Sequence, residues 1–552
     1  MCLFFLYLLC GTVSLLPIEA TPRKENQIGD KGVAMATVYW ERSEKAVVLR
    51  EGVMLKDGDA YGFYNDSLYQ SGWGVLELRA GYGATRDPDT VMYLAGYLEG
   101  YLTARQMGDH YRNMYPQLIT DPTVASKVKD FLQKQFSWAR DEVHRMGGGD
   151  PLWRHVGYVL SQLDGLHAGA LEWAKRSRTE PLSLFAVHFL NGLGDLLDLI
   201  PMLFPGNHTD WHSLSWAKQN QDRTNMGHCS ALIKVLPGFE NVFISHSSWF
   251  SYAATMRIFK HWDFKLEDQQ TATGRQSFSS YPGFLMSLDD FYLLGSGLVM
   301  VQTTNGIYDR SLFKLVTPQS LLAWQRVRVS NMMARDGKEW ASIFSNYNSG
   351  TYNNQYMVVD LNKIHLQEDI EEGALFIIEQ IPGLVEFSDQ TSVLRRGYWP
   401  SYNIPFHKQI YARSGYPAMR EHFGTEYSYD LCPRAKIFRR DQGSVRDLAS
   451  LRRIMRYNEY QTDPYSEGDA CKTICCRGDL KKDQPVPGGC YDTKVTDFKL
   501  AQKFISEAVN GPTVQGGLPA FSWREFSQTR HAGLPESYNF TFLTMQPVLF
   551  EP

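Results

Sequence analysis

Apolar and polar residues alternate over three short segments near the start of the chain, 36–40, 46–50 and 74–79, which predicts strands there. The period then lengthens. Over 89–107 the apolar positions Met92, Leu94, Ala95, Tyr97, Leu98 and Leu102 fall at helical spacing, and 124–145 and 153–174 continue the pattern. A further helix is predicted over 183–203, stopped by Pro205-Gly206. Residues 207–228 are polar and poor in aromatics apart from Trp211 and Trp216, as in an exposed loop where proteolysis concentrates. Alternation returns at 229–236 and 241–246, a hairpin across Pro237-Gly238-Phe239-Glu240. Strands are predicted at 291–304, 356–361 and 374–381, and helices at 252–262, 319–333 and 339–345. Helices and strands segregate instead of alternating, which predicts an α+β layered architecture with antiparallel sheets.

The apolar run over 2–16, followed by Pro17-Ile18-Glu19-Ala20, reads as a secretory signal (residues 1–20) removed from the mature protein. No later run approaches the roughly 18 apolar residues that span a bilayer. Asn65, Asn207 and Asn539 each stand in Asn-x-Ser/Thr and are expected to be glycosylated on that route. The formal net charge is -4, and Glu19 is lost with the signal, so nothing suggests a nucleic-acid partner. Aromatics at 13% against 21% charged residues leave ample material for a large core. The length would ordinarily suggest several domains, but no Pro/Ser-rich linker or internal repeat divides the chain.

Cys2 and Cys10 fall in the signal, and Cys471, Cys475, Cys476 and Cys490 cluster near the C-terminus. In a secreted chain this cluster predicts two disulfides, since Cys-x3-Cys-Cys without a nearby histidine makes a poor zinc site. No metal or cofactor is expected. Adjacent Cys475 and Cys476 are not expected to pair, which leaves two connectivities, with Cys471–Cys476 and Cys475–Cys490 preferred. Cys432 reads as structural. Cys229 is isolated between the polar loop and an apolar strand; cut before it, the chain would carry a thiol and a free α-amine on one residue. Gly-x-Ser-x-Gly, His-Glu-x-x-His and a Walker loop are all absent, so Cys229 is the leading nucleophile. On isolation alone, a buried structural thiol is the better reading.

Longer blocks reverse that order. Asn225-Met226-Gly227-His228-Cys229-Ser230-Ala231-Leu232-Ile233-Lys234 and Phe243-Ile244-Ser245-His246-Ser247-Ser248-Trp249 closely resemble the phospholipase B-like family. So do Gly350-Thr351-Tyr352-Asn353-Asn354-Gln355-Tyr356, Tyr398-Trp399-Pro400-Ser401-Tyr402-Asn403 and Arg434-Ala435-Lys436-Ile437-Phe438-Arg439-Arg440. The resemblance implies an N-terminal nucleophile (Ntn) hydrolase fold, an αββα sandwich around two antiparallel sheets. It also implies a lysosomal or secreted glycoprotein cut at His228-Cys229. On that reading 21–206 form the N-terminal chain, 207–228 a processed linker and 229–552 the C-terminal chain, the two staying associated.

The resemblance casts Cys229 as nucleophile, His246 as proton-transfer partner, Asn403 as oxyanion donor and Arg434 as the charge that orients the site. Trp249 would wall the substrate pocket, with Thr303 and Thr304 as further lining. It links the family to removal of acyl chains from phospholipids through a thioester, with only transient membrane contact. An amidase or peptidase acting on small acyl amides is the alternative, and a binding module with little catalysis a further one. A homodimer is compatible with this reading.

Overall fold

The computed structural model describes residues 32–204 and 228–549. The signal, Asn207 and nearly all of the linker lie outside the described residues. The N-terminal part opens with β1 (Val33–Glu41), β2 (Ala46–Glu51), β3 (Ala60–Ser67) and β4 (Trp73–Ala80), with a single turn, α1 (Leu68–Ser71), before β4. Three long helices follow: α2 (Pro88–Leu118), α3 (Pro122–Met146) and α4 (Pro151–Ser177). Each starts at an Asp-Pro pair, with Asp87, Asp121 or Asp150 accepting first-turn N–H groups and the proline at the first helical position. α2 and α4 pack backbone against backbone: a Cβ at Gly96 or Gly100 would collide with carbonyls of α4, and one at Gly165 or Gly169 with carbonyls of α2.

The predicted 183–203 helix is two, α5 (Leu184–Asn191) and α6 (Leu193–Leu203), bent by 93° at Gly192. No single helix among the described residues is long and apolar enough to cross a membrane.

After the linker come β5 (His228–Val235), β6 (Val242–Ser251), β7 (Ile258–Phe264), β8 (Arg275–Ser280), β9 (Phe291–Leu294), β10 (Leu298–Thr304) and β11 (Asn354–Asp360). A small ribbon, β12 (Ile364–His365) and β13 (Asp369–Ile370), precedes β14 (Leu375–Ile381), β15 (Leu384–Asp389) and β16 (Tyr398–Ser401). The C-terminal part gives β17 (Gly488–Cys490), β18 (Asp492–Asp497), β19 (Ser506–Asn510) and β22 (Leu543–Met545), with a second ribbon of β20 (Phe521–Ser522) and β21 (Ser537–Tyr538).

Two large sheets result. One has eleven strands in the order β15-β14-β11-β10-β9-β8-β7-β4-β3-β1-β2, and the other has β16-β5-β6-β18-β19-β22 with β17 beside β6. Alternation along the strands sorts side chains into three cores. Leu76, Leu78, Leu298 and Met300 face one core shared by α2–α4 and the helices Ala323–Met333 and Gly337–Phe344, while Val299 and Val301 meet Ala231, Ile233 and Ile244 between the sheets. Leu232, Phe243 and Val495 face the C-terminal helices through Ile437, Phe438 and Leu451. The layers run helix, sheet, sheet, helix, an α+β architecture.

The larger sheet is not wholly antiparallel, because β4 and β7 run parallel and join the parts before and after the linker into one sheet. Residues 252–262 are not a helix but one 3-10 turn, Tyr252–Ala254, followed by β7. β7 is buried on both faces, so its Ile-Phe-Lys-His-Trp-Asp-Phe run lacks the alternation that marks a half-exposed strand. The 291–304 strand is two, turning at Gly297, whose φ of 85° suits glycine. Cys471 pairs with Cys476 and Cys475 with Cys490, the preferred connectivity. Asn539 is exposed, whereas Asn65 stands half-buried within β3.

Candidate active site

Cys229 is the second residue of β5. It shares parity with Ala231 and Ile233, so its side chain faces the gap between the sheets, at one end of it. Its backbone is held at both polar atoms. The N–H donates to Asn403 Oδ1 at 3.1 Å, and the carbonyl accepts from Arg434 Nη1 at 2.6 Å.

Arg434 starts the helix Pro433–Asp441 and also donates to Tyr402 O at 2.7 Å and Ser230 Oγ at 3.3 Å. Its guanidinium lies over the Trp249 ring, 4.6 Å from the centroid. Asn403 follows β16 in the left-handed region, at φ 67°. Its Nδ2 donates to Thr304 O at 2.6 Å and its backbone N–H to Thr303 Oγ1 at 3.3 Å. Flipping the amide would set donor against donor and acceptor against acceptor at both contacts. The carboxamide therefore turns its oxygen, not its N–H, to Cys229, and one Nδ2–H remains beyond the bond to Thr304.

Burial pushes the Cys229 thiol up to about 12, against the opposing effects of the Trp249 backbone N–H and the Lys494 charge. His246 sits diagonally across the hairpin, paired with Ala231. Its Nε2 donates to Gln302 O at 2.7 Å, because a carbonyl can only accept, so Nδ1 is the bare nitrogen and has no hydrogen-bond partner. Burial and then the Lys494 charge hold the imidazole well below its ordinary pKa, so it is neutral. It makes no hydrogen bond to the Cys229 sulfur.

Beside His246 lies a fully buried charged cluster. Lys494 Nζ donates to Asp289 at 2.6 Å, to both Asp492 oxygens at 2.8 and 2.9 Å, and to Ser248 Oγ at 2.7 Å. Arg257 Nη2 completes it, 3.0 Å from Asp289 and 3.2 Å from Asp492. Burial opposes ionisation of Asp289, but Arg257 and Lys494 hold its carboxyl well below the usual range. His246, Asp289 and Asp492 bring potential metal-ligand atoms together, but two side-chain cations already balance the two carboxylates.

Two cavities meet at Trp249. One, about 330 Å³, contains Cys229 and Ser248 and is walled largely by apolar and aromatic groups: Leu193 and Leu197 of α6, Phe250, Leu288 and Tyr352. The other, about 840 Å³, is lined by Asn403, Arg434, Lys472 and several tyrosines, with the buried Cys432 in its wall. Trp249 and Thr304 border the Cys229 cavity. Thr303 is not part of that wall; it bonds Ser401 Oγ at 2.7 Å and supports Asn403. Ser248, Asp289, Lys494 and the α6 leucines were not singled out in the sequence. The available signal was a lysine and an arginine, Lys494 and Arg257, each set in a short apolar and hydroxyl-rich stretch.

The sequence profile of the Phospholipase B family matches residues 60–545. The chain is 59% identical to human Phospholipase B-like 1 over 519 residues, covering 94% of this chain and 92% of the human protein. It is 57% identical to Phospholipase-B 81 of Drysdalia coronoides over 515 residues, 93% of each chain. With Phospholipase B-like protein D of Dictyostelium discoideum it shares 37% over 516 residues, 90% of this chain and 88% of that one. The matches run through the strands, helices and loops that build the Cys229 site, and the chain belongs to the phospholipase B family.

Proposed function

We propose that the protein is a self-processed Ntn hydrolase in which Cys229, freed as a new N-terminus, removes fatty acyl chains from glycerophospholipids. The observation that carries this reading is the Cys229 backbone: Asn403 holds the nitrogen and Arg434 the carbonyl, while the thiol faces a largely apolar cavity. The four-layer arrangement supports the Ntn assignment, and the parallel β4–β7 join supports two chains that remain together after cleavage.

In the precursor, the Cys229 sulfur attacks the His228 carbonyl. The His228–Cys229 C–N bond breaks as the acyl group moves to sulfur, freeing the α-amine that Asn403 Oδ1 already faces, and water then hydrolyses the thioester to the His228 carboxylate and the free thiol. That amine, with an ordinary pKa of about 7.7–8.0, takes the thiol proton that burial otherwise retains. The thiolate adds to the acyl carbonyl, and the Trp249 backbone N–H and the remaining Asn403 Nδ2–H are the nearby donors for the oxyanion. The glycerol-bearing portion leaves as the alcohol, taking its proton from the α-ammonium, and water then hydrolyses the acyl thioester to the fatty acid and the free thiol. His246, neutral, accepts at Nδ1 and does not carry charge.

The secretory signal and Asn-x-Ser/Thr sites support a lysosomal or secreted location. The largely apolar wall beside the thiol suits an acyl chain, and small N-acyl amides are the second reading. Hydrolysis of lysophospholipid, diacyl phospholipid and N-acyl amide by the parent and Cys229→Ala tests both. Ester cleavage lost in the alanine variant is expected. Cleavage confined to amides would replace the first reading with the second.

A further inference from the structure

Lys494 lies in the middle of the smaller sheet with no exposed surface, 265 positions from Cys229 in the chain. A lysine in such a place is rare unless its charge is used. Its ammonium reaches Asp289, Asp492 and the hydroxyl of Ser248, and Ser248 is the direct cross-strand partner of Cys229. The Cys229–Ser248 pair exchanges no ladder hydrogen bond. Cys229 gives its N–H to Asn403 and its carbonyl to Arg434, and Ser248 gives its N–H to Asp492 Oδ1 at 2.9 Å. This is the antiparallel pairing in which opposed side chains approach most closely, with Cβ atoms about 4.5–5.5 Å apart. Both side chains border the same cavity.

The carboxylate that completes the cluster is held by a strained loop. Leu288 and Asp290, on either side of Asp289, have φ of 68° and 49°. Non-glycine residues rarely adopt such values, and two flanking one buried acid mark a geometry fixed by its surroundings. Those surroundings are built: Leu288 O accepts from Gln302 Nε2 at 3.1 Å and from the Tyr352 hydroxyl, and Ser279 Oγ donates to Asp289 at 2.8 Å.

We infer that Lys494 is a positioning residue for the nucleophile: it fixes Ser248 opposite Cys229 and lends the thiolate a buried positive charge. Ser248 is the link. Its oxygen accepts from Lys494 and its hydrogen goes to Asp289 at 3.1 Å, which leaves its second lone pair for the Cys229 S–H or the new α-amine. The charged and titratable groups around the thiol are Lys494 and Asp492 on β18, Asp289 in the 288–290 loop, His246 on β6, Arg257 before β7 and Arg434. Tyr281, Tyr352 and Tyr491 line the cavity. Asp289 and Asp492 oppose the thiolate while Lys494 favours it, so removing Lys494 leaves the two acids facing the sulfur with Arg257 as the cluster's one remaining cation.

This inference rests on Cys229 being the nucleophile, so its test reads the sulfur directly. Iodoacetamide alkylation of Cys229 is followed by peptide mass against pH in the processed parent, Ser248→Ala, Lys494→Met and the charge-balanced Lys494→Met/Asp492→Asn. Turnover on an acyl ester is measured alongside. Expected is an upward shift of about one pH unit in the alkylation midpoint in Ser248→Ala and Lys494→Met and a smaller one in the double variant, where loss of the Asp492 charge offsets part of the lost charge, with kcat falling at least about tenfold in each and KM little changed. Lys494→Arg should recover part of both.

Should Lys494→Met fail to fold, Ser248→Ala and the double variant decide, since neither leaves an unbalanced buried charge. Unchanged alkylation profiles and kcat in those two would overturn the inference. A parent in which Cys229 is not alkylated at any pH would instead remove the underlying nucleophile assignment.

Discussion

The backbone nitrogen of Cys229 donates to Asn403 Oδ1 at 3.1 Å, although 174 positions separate the two residues. Asn403 reaches it from a left-handed conformation anchored by Tyr416, whose hydroxyl donates to Asn403 O at 2.8 Å. This contact makes the side chain, not only its position, testable. Asn403→Gly accepts the positive φ but loses the carboxamide, whereas Asn403→Ala adds backbone strain of order 1 kcal/mol. Both should lower kcat/KM by about 10²–10³. Equal activity of the glycine variant and the parent would show that only the loop conformation matters.

Arg434 ties Cys229 O, Tyr402 O and Ser230 Oγ into one fork from a buried position. Lysine offers a single nitrogen and cannot reproduce that geometry. Arg434→Lys should destabilise the protein by about 1–3 kcal/mol, because at least one buried acceptor is left unmade. The urea midpoint measures this directly, and an unchanged midpoint would contradict the fork.

The α6 leucines give the cavity part of its apolar wall. Leu193→Trp should shrink it, so that kcat/KM for a long acyl ester falls at least about tenfold while a two-carbon acyl ester is cleaved as before. A uniform loss across chain lengths would mean that α6 supports the fold without shaping selectivity.

Asp195, one residue after Gly194 in α6, accepts from Ala323 N at 3.0 Å and from the Thr351 hydroxyl at 2.5 Å, and its other oxygen is unpartnered. Burial lifts its pKa to about 6, above the roughly 3.9 of an unfolded aspartate. Folding therefore takes up a proton. The penalty on the ionised form is absent below about pH 4, grows as pH rises to about 6 and is constant above that. Asp195→Asn should remove that dependence: relative to the parent, its melting temperature should gain between pH 4 and 7. A constant difference across that range would refute the assignment.

How far the sequence reached depended on what each signal measured. Helical spacing located α2 to α4, because each buries one side, α2 against the sheet and α4, and α3 and α4 against neighbouring helices, and the pattern survives in the residues themselves. β7 was missed because burial on both faces erases alternation. Cys229 stood out by isolation, but Asn403 and Arg434 came only through resemblance, since nothing in their spacing marks them as its neighbours. The Arg257, Asp289, Asp492 and Lys494 cluster was illegible, because three separate strand ends and loops deliver its members. At Asn403 the structure adds a contact that the sequence did not suggest: its oxygen takes the Cys229 N–H while its Nδ2 bonds Thr304 O.

The central claim is that Cys229 becomes an N-terminus and then the nucleophile. Intact mass and N-terminal sequencing of the purified parent and of Cys229→Ala address it together. The account predicts a parent fragment that begins at Cys229 and an alanine variant that stays uncut at that bond. An alanine variant cut at the same bond, or a fully active parent with no new N-terminus at Cys229, would contradict it.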